Sequence, residues 1–184
     1  MVNLMGLTLA EETAKIVPGQ SRIVVVADAR QAQDGKPTGD IAAGFSTGLK
    51  KYPHLQVVAT ELVTFDIHVE DGVPAIVSTT FQELWERHKD VAVIVFFVDL
   101  PAWYRVETWL AKAEGPRFVG VAGLPQARWR YGGYLATGRQ AALIVPRQGT
   151  SPPPPGHPKT PQEHFDRDFQ IVTPQNYDAI LDAD

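Results

Sequence analysis

Two aspartates each close an apolar run. Asp28 follows RIVVVA at residues 22–27, and Asp99 follows VAVIVFFV at residues 91–98. A carboxylate at the carboxyl end of a buried strand can accept from a ligand hydroxyl, pair with a cation, or cap the helix that comes next. Arg30 stands two residues after Asp28, so a loop ion pair and a ligand contact are both open for that pair. Asp99 is followed by Leu-Pro-Ala-Trp, which reads as a helix start with Pro101 near the first turn. Capping that helix and binding a hydroxyl therefore compete at Asp99. A third group lies in PQARWRYGGYLATGR, where Arg128, Arg130 and Arg139 are interleaved with aromatic residues and Gly132-Gly133. Such a cluster can hold a phosphate, a carboxylate or a base, or can stack arginine on tryptophan along a helix surface. His68, Glu70 and Asp71 match no metal-ligand spacing and read as a solvated turn, and His88 reads as a partly buried helix-face residue. No G-x-S-x-G, phosphate loop or G-x-G-x-x-G follows a strand. No catalytic residue, metal or cofactor is expected.

The elements that must position these groups read as alternating strands and helices. Residues 39–66 form the organising stretch. Ile41, Phe45 and Leu49 recur on one helical face, Gly39 and Asp40 stand at its start, Lys50 and Lys51 fall in its last turn, and Pro53 stops it. Gly44 inside that helix points to close packing, with backbone approach to a ligand as the other reading. LQVVATELV then predicts a strand covered on both faces. Elsewhere Thr8-x-x-Glu11 predicts a short helix over residues 9–16, and Ser78 or Thr79 caps a helix through TFQELWERHKD. Asp71-Gly72 marks a turn. A further helix runs through WYRVETWLAKAEG to Gly115, and RFVGVAGLP and QAALIVPR supply two more strands. The whole is an α/β fold, three-layered and flavodoxin-like, with a doubly wound, mostly parallel sheet of five to six strands and helices on both faces. Residues 1–184 make one domain: a core over 20–147, a Pro-rich arm over 148–164, and a C-terminal strand and tail over 165–184.

Composition narrows the function. The chain has 184 residues, a net charge of -4 and no cysteine. The acidic balance argues against a nucleic-acid partner, and the missing thiols exclude disulfides and thiol catalysis. No stretch approaches 18 apolar residues, so no transmembrane segment is expected. The four prolines of GTSPPPPGHPKT read as a stiff spacer or as a ligand for an SH3-like module.

The pattern GF-x3-LKKYP-x-L-x-VVA-x5-FD, beginning at Gly44, resembles the ligand-binding domains of the type 1 periplasmic sugar-binding proteins, which the lactose-repressor-type regulators share. The rhythm extends over residues 22–147, and the tail ends on a similar phrase, an apolar strand followed by Thr-Pro-x-Asn. The resemblance implies one lobe of a two-lobed protein, with the ligand at the carboxyl edge of the sheet. The positions it marks are Asp28, Phe65, Asp99, Gly123, Arg128 and Arg130. Phe65 keeps the place of a ring that stacks on a sugar. Asp40 stands where relatives carry an arginine, Val98 where they carry an asparagine, and Ala122 where they carry an acid. The implied function is a non-catalytic small-molecule binding or sensor domain that has lost most sugar contacts. The partners implied are a small polar ligand and a second copy or another chain that completes the cleft. An extracytoplasmic place is implied where a leader or anchor upstream of Met1 has been removed, since MVNLMGLTLAEE itself has no such pattern. A protein-interaction module without a small ligand is the alternative reading, and a flavodoxin-like enzyme the third.

Overall fold

A computed structural model describes residues 2–17, 19–33, 36–37, 39–64, 75–122, 127–147 and 160–181. Its first strand, β1 (Ser21–Asp28), lies inside the sheet, and its last six residues are all buried. The run is apolar on both pleat faces, so it needs cover on both sides. Ile23 and Val25 face one layer of helices, and Val24 and Val26 face the other.

The chain then builds outward in two directions. A 3-10 turn (Ala29–Gln31), β2 (Ala32–Gln33) and β3 (Lys36–Pro37) lead into α2 (Asp40–Leu49), which returns to β4 (Leu55–Val63) on one side of β1. From there α3 (Ser78–His88) crosses back to β5 (Val93–Phe96) on the other side of β1. A 3-10 turn (Trp103–Arg105) and α4 (Glu107–Leu110) connect to β6 (Arg117–Val121), and α5 (Ala127–Ala136) connects to β7 (Gln140–Pro146). The sheet order is β4-β1-β5-β6-β7-β8, parallel throughout except for β8 (Phe169–Val172), which pairs antiparallel with β7. This is the expected doubly wound, flavodoxin-like arrangement, with six strands.

One face packs Phe81, Leu84 and Trp85 of α3, Leu110 of α4 and Tyr131 and Tyr134 of α5 against the sheet, with Tyr177 and Ile180 of α7 (Tyr177–Leu181) beside them. The other face is covered by α1 (Val2–Ile16), α2 and α6 (Pro161–Asp168), through Met5, Leu9, Phe45 and Phe165. Among the described residues, α2 is the one crossover helix on that second face. The N-terminal helix α1 takes the remaining space over β6 and β7.

Several local expectations are corrected. The helix α1 starts at Val2, so Thr8 lies inside it and caps nothing. Its early start follows from the contact it makes: α1 crosses α2 where Gly6 abuts Gly44, and Gly48 lies under Ala10. The close packing expected of Gly44 is thus against a helix rather than the sheet. The strand β4 is not covered on both faces, because it is an edge strand with Val57 and Val58 exposed at 41% and 36%. A register shift at that point marks a bulge, a common device for blunting an edge. Val77, not Ser78 or Thr79, is the N-cap of α3, and it makes no side-chain cap bond. The expected long helix to Gly115 is a 3-10 turn and the four residues of α4. Asp99 does not cap it; the N-cap of that turn is Ala102. The helix α6 was not expected, although Thr160 and Glu163 form a full capping box with Pro161 in the first turn. The Asp71-Gly72 turn, His68, Glu70 and the prolines of residues 151–155 lie outside the described residues.

Candidate functional site at the carboxyl rim of the sheet

The direction of strand addition reverses at β1: β4 was laid on one side and β5, β6 and β7 on the other. At such a point the connections leave the sheet in opposite directions and a crevice opens outside the carboxyl ends. The rim here is the end of β1 and residues 97–101 after β5.

Asp28 is buried, with 6% exposure, at the tip of β1. Its Oδ1 accepts from the backbone N–H of Arg30 at 2.9 Å, which starts the 3-10 turn. The Arg30 guanidinium donates to both oxygens, at 3.0 Å and 3.1 Å through Nε and 2.8 Å through Nη2. Burial alone would raise the Asp28 carboxyl, but the Arg30 hydrogen bonds outweigh it and hold the group below the ordinary carboxylate range. A carboxyl lowered on folding stabilises the fold while ionised and loses that contribution as the pH falls through its folded value. The melting difference between the native chain and Asp28→Asn is therefore expected to be largest near neutral pH and to vanish toward acid, as followed by circular dichroism across pH.

Asp99 sits in a second network, organised by α5. The Tyr131 hydroxyl donates to Asp99 Oδ1 at 2.7 Å and accepts from the Leu100 N–H at 3.3 Å. Arg130 Nη1 donates to the Leu100 carbonyl at 2.8 Å, and the Tyr134 hydroxyl donates to the Pro101 carbonyl at 3.0 Å. Three residues of one helix thus hold three successive residues of the β5–α4 loop. The Asp99 carbonyl also accepts from the Ile76 N–H at 3.1 Å, tying in the segment before α3. Burial first, and the Asp99 charge second, push the Tyr131 hydroxyl well above the usual phenol range, so it remains a donor. Replacing Tyr131 by phenylalanine leaves the Leu100 N–H and the Asp99 carboxylate without this hydroxyl. A loss of about 1–3 kcal/mol in a urea titration is expected, with a smaller loss for Asp99→Asn, whose amide oxygen can still accept from Tyr131.

The structure thus places Asp28 and Asp99 after neighbouring strands at the rim, and brings Arg130 to Asp99 through the shared loop. Arg130 is buried, with 4% exposure, and faces the loop. Among the described residues, an arginine-on-tryptophan contact in this region is made by Arg139, 5.1 Å from the Trp85 ring centroid. Phe65 and Gly123 lie outside the described residues, and Arg128 is described only as a backbone position in α5. Tyr131 and Tyr134 are the contributors that sequence reasoning passed over. Their signal was available in the i, i+3 spacing one residue after Arg130, on a helix facing the end of a central strand.

His88 is a partly buried helix-face residue, as expected. Its Nε2 lies 2.6 Å from Glu61 Oε1, and Arg87 donates to Glu61 Oε2 at 2.7 Å. This pins α3 to the edge strand β4. Among the described residues, no group of three or more His, Asp or Glu is placed to hold a metal ion, and no helix is long and apolar enough to cross a membrane.

No family model matches the sequence, and no curated protein matches it. Solved structures do share the fold. An ABC transporter solute-binding protein from Burkholderia graminis, in complex with D-arabinose, superposes with a TM-score of 0.60 at 19% identity, over 95% of this chain and 60% of its own. A sugar-binding protein of a sugar ABC transporter from Bacillus halodurans gives 0.62 at 15% identity, over 97% and 64%. A protein described as a LacI transcriptional regulator from Bacteroides fragilis gives 0.58 at 14% identity, over 97% and 61%. The fold is that of the periplasmic sugar-binding proteins and LacI-type regulators. The chain spans less than two thirds of the length of each of these three.

Proposed function

We propose that the chain is a non-catalytic binding or sensor domain, a single α/β unit over residues 1–184, that takes a small polar ligand at the rim between β1 and β5. The observation that carries this reading is the placement of two carboxylates, Asp28 at the end of β1, where the sheet order reverses, and Asp99 just past the neighbouring β5, each held by its own hydrogen-bond network. Arg130, which donates to the Leu100 carbonyl, adds to the proposed site, and the resemblance adds Phe65, Gly123 and Arg128 as further proposed contacts. The sugar-binding proteins among the fold neighbours support a polyol-like ligand. The residues at positions 40, 98 and 122 favour one that asks for fewer polar partners than an ordinary monosaccharide, because each buried hydroxyl left unpaired costs about 1–3 kcal/mol. Residues 1–184 span 60% and 64% of the length of two of those neighbours and supply one wall of a cleft; a second copy or a partner chain is a candidate for the facing wall. The solute-binding neighbours support a place outside the cytoplasm.

A protein-interaction role is the second reading. It is favoured by Asp28, both of whose oxygens already accept from Arg30, and by the exposed valines on the β4 edge.

A thermal-shift screen over sugars, nucleosides, amino acids and organic acids separates the two. The binding reading expects at least one stabiliser, worth about 2.7 kcal/mol at one hundred times its dissociation constant, whose effect disappears in Asp99→Asn. A screen with no stabiliser at millimolar concentration leaves the interaction reading in its place.

A further inference from the structure

A trough of about 680 Å³ lies between α1, α6 and the edge strand β8. Its volume is that of a small-molecule site. It belongs to a different part of the fold, since β8 is the edge strand at the opposite end of the sheet from β4 and is separated from β5 by β6 and β7.

The lining has a particular balance of charge. Glu11 and Glu12 on α1 and Asp166 on α6 contribute three carboxylates, against the cations Lys15 and Arg147. Both cations are committed to the protein. Lys15 Nζ lies 2.9 Å from Glu11 and 2.8 Å from Glu12, so one ammonium is shared by two carboxylates. Arg147 donates through Nε to the Asp166 and Phe169 carbonyls and through Nη1 to Gln170 Oε1. The carboxylates are less fully used. Asp166 Oδ1 accepts only an amide, from Gln162 Nε2 at 2.8 Å, and among the described residues no cation pairs with it. Glu12 is 12% exposed, with only that shared lysine as its ion-pair partner among the described residues. Between these two walls lie Phe169 and Ile171, a half-buried apolar strip.

A ligand complementary to this trough brings hydrogen-bond donors and positive charge at its ends and methylene groups between them. We propose that the trough binds a small alkyl diamine or oligoamine, one ammonium donating to Glu12 and another to Asp166, with the alkyl chain over Phe169 and Ile171. This site is independent of the rim and of the ligand proposed there.

Isothermal titration with 1,4-diaminobutane and with spermidine, at about 0.15 M salt to suppress long-range attraction, tests it. Butane-1,4-diol serves as the neutral match. Saturable one-site binding of the amines, with none for the diol, is expected. Asp166→Asn, which keeps an acceptor for Gln162 at an exposed position, and Glu12→Gln should each weaken the amines by about tenfold or more. Asp99→Asn, at the rim, should leave them unchanged, so this site and the rim site fail separately. The proposal is overturned by amines that do not saturate at millimolar concentration, by a diol that binds as well, or by affinity retained in both folded variants, which would mean adsorption to an acidic surface.

Discussion

Gly6→Ala is expected to destabilise the chain by about 2–3 kcal/mol, the upper part of the range for overpacking a tight contact. A β-carbon on Gly6 would run into the Ile41 carbonyl oxygen and the Phe45 amide nitrogen, and would lie 2.8 Å from the Gly44 carbonyl carbon. These are backbone atoms of α2, so no rotamer change can relieve the clash and the two helices must separate. Separation acts at a distance, because α1 also covers β6 and β7 with Leu9 and Ala10, both fully buried. For a chain of this size the melting temperature should fall by roughly 4–12 °C. Gly19→Ala is the matched control: nothing lies within 4 Å of its β-carbon position, and its melting temperature should stay near that of the native chain. Differential scanning calorimetry of the pair checks both expectations. An unchanged melt for Gly6→Ala would remove α1 from the folded layer.

Phe81→Ala should be more costly still, about 3–5 kcal/mol, the usual range for deleting a buried aromatic ring. Phe81 has 1% exposure and stands at the hub of the ring cluster under the sheet. Its centroid is 5.7 Å from Phe118, 5.9 Å from Trp109, 6.0 Å from Phe96 and 6.4 Å from Tyr134. Those rings come from β6, α4, β5 and α5, so the cavity cannot close by a shift of one element. Tyr134 in turn holds the Pro101 carbonyl, which couples this core to the rim. In urea the midpoint should drop with the slope unchanged. Tyr104→Ala, at a residue 53% exposed, should barely move it.

Much of the architecture was readable from residue order. RIVVVA and VAVIVFFV are apolar on both pleat faces, as buried parallel strands require, and they are two adjacent interior strands of the sheet. The reading of LQVVATELV as doubly covered failed for a physical reason: β-branched residues suit an edge strand as well, and sequence alone does not show which strand ends the sheet. The start of α1 was hidden because it packs on α2 through a glycine contact that local sequence does not reveal. In α6 the opposite held. The Thr-Pro-Gln-Glu box was present in the sequence, and the proline-rich run before it masked the helix start. At the rim, the aspartates stood out because they end apolar runs. Tyr131 and Tyr134 did not, because aromatic residues on an amphipathic helix look the same whether they fill a core or hold a loop. That the β5–α4 connection is a 3-10 turn and not a full helix followed from this tertiary hold and could not be read from LPAW.

The claim on which the account rests is that ligand recognition occurs where β1 and β5 leave the sheet. Backbone amide chemical-shift mapping tests it most directly, using the best stabiliser from the screen. The account predicts that saturating ligand moves the resonances of Asp28, Arg30 and residues 97–100, and that the pattern is lost in Asp99→Asn. Shifts confined to the β4 edge or the β8 trough, with the rim silent, would contradict it.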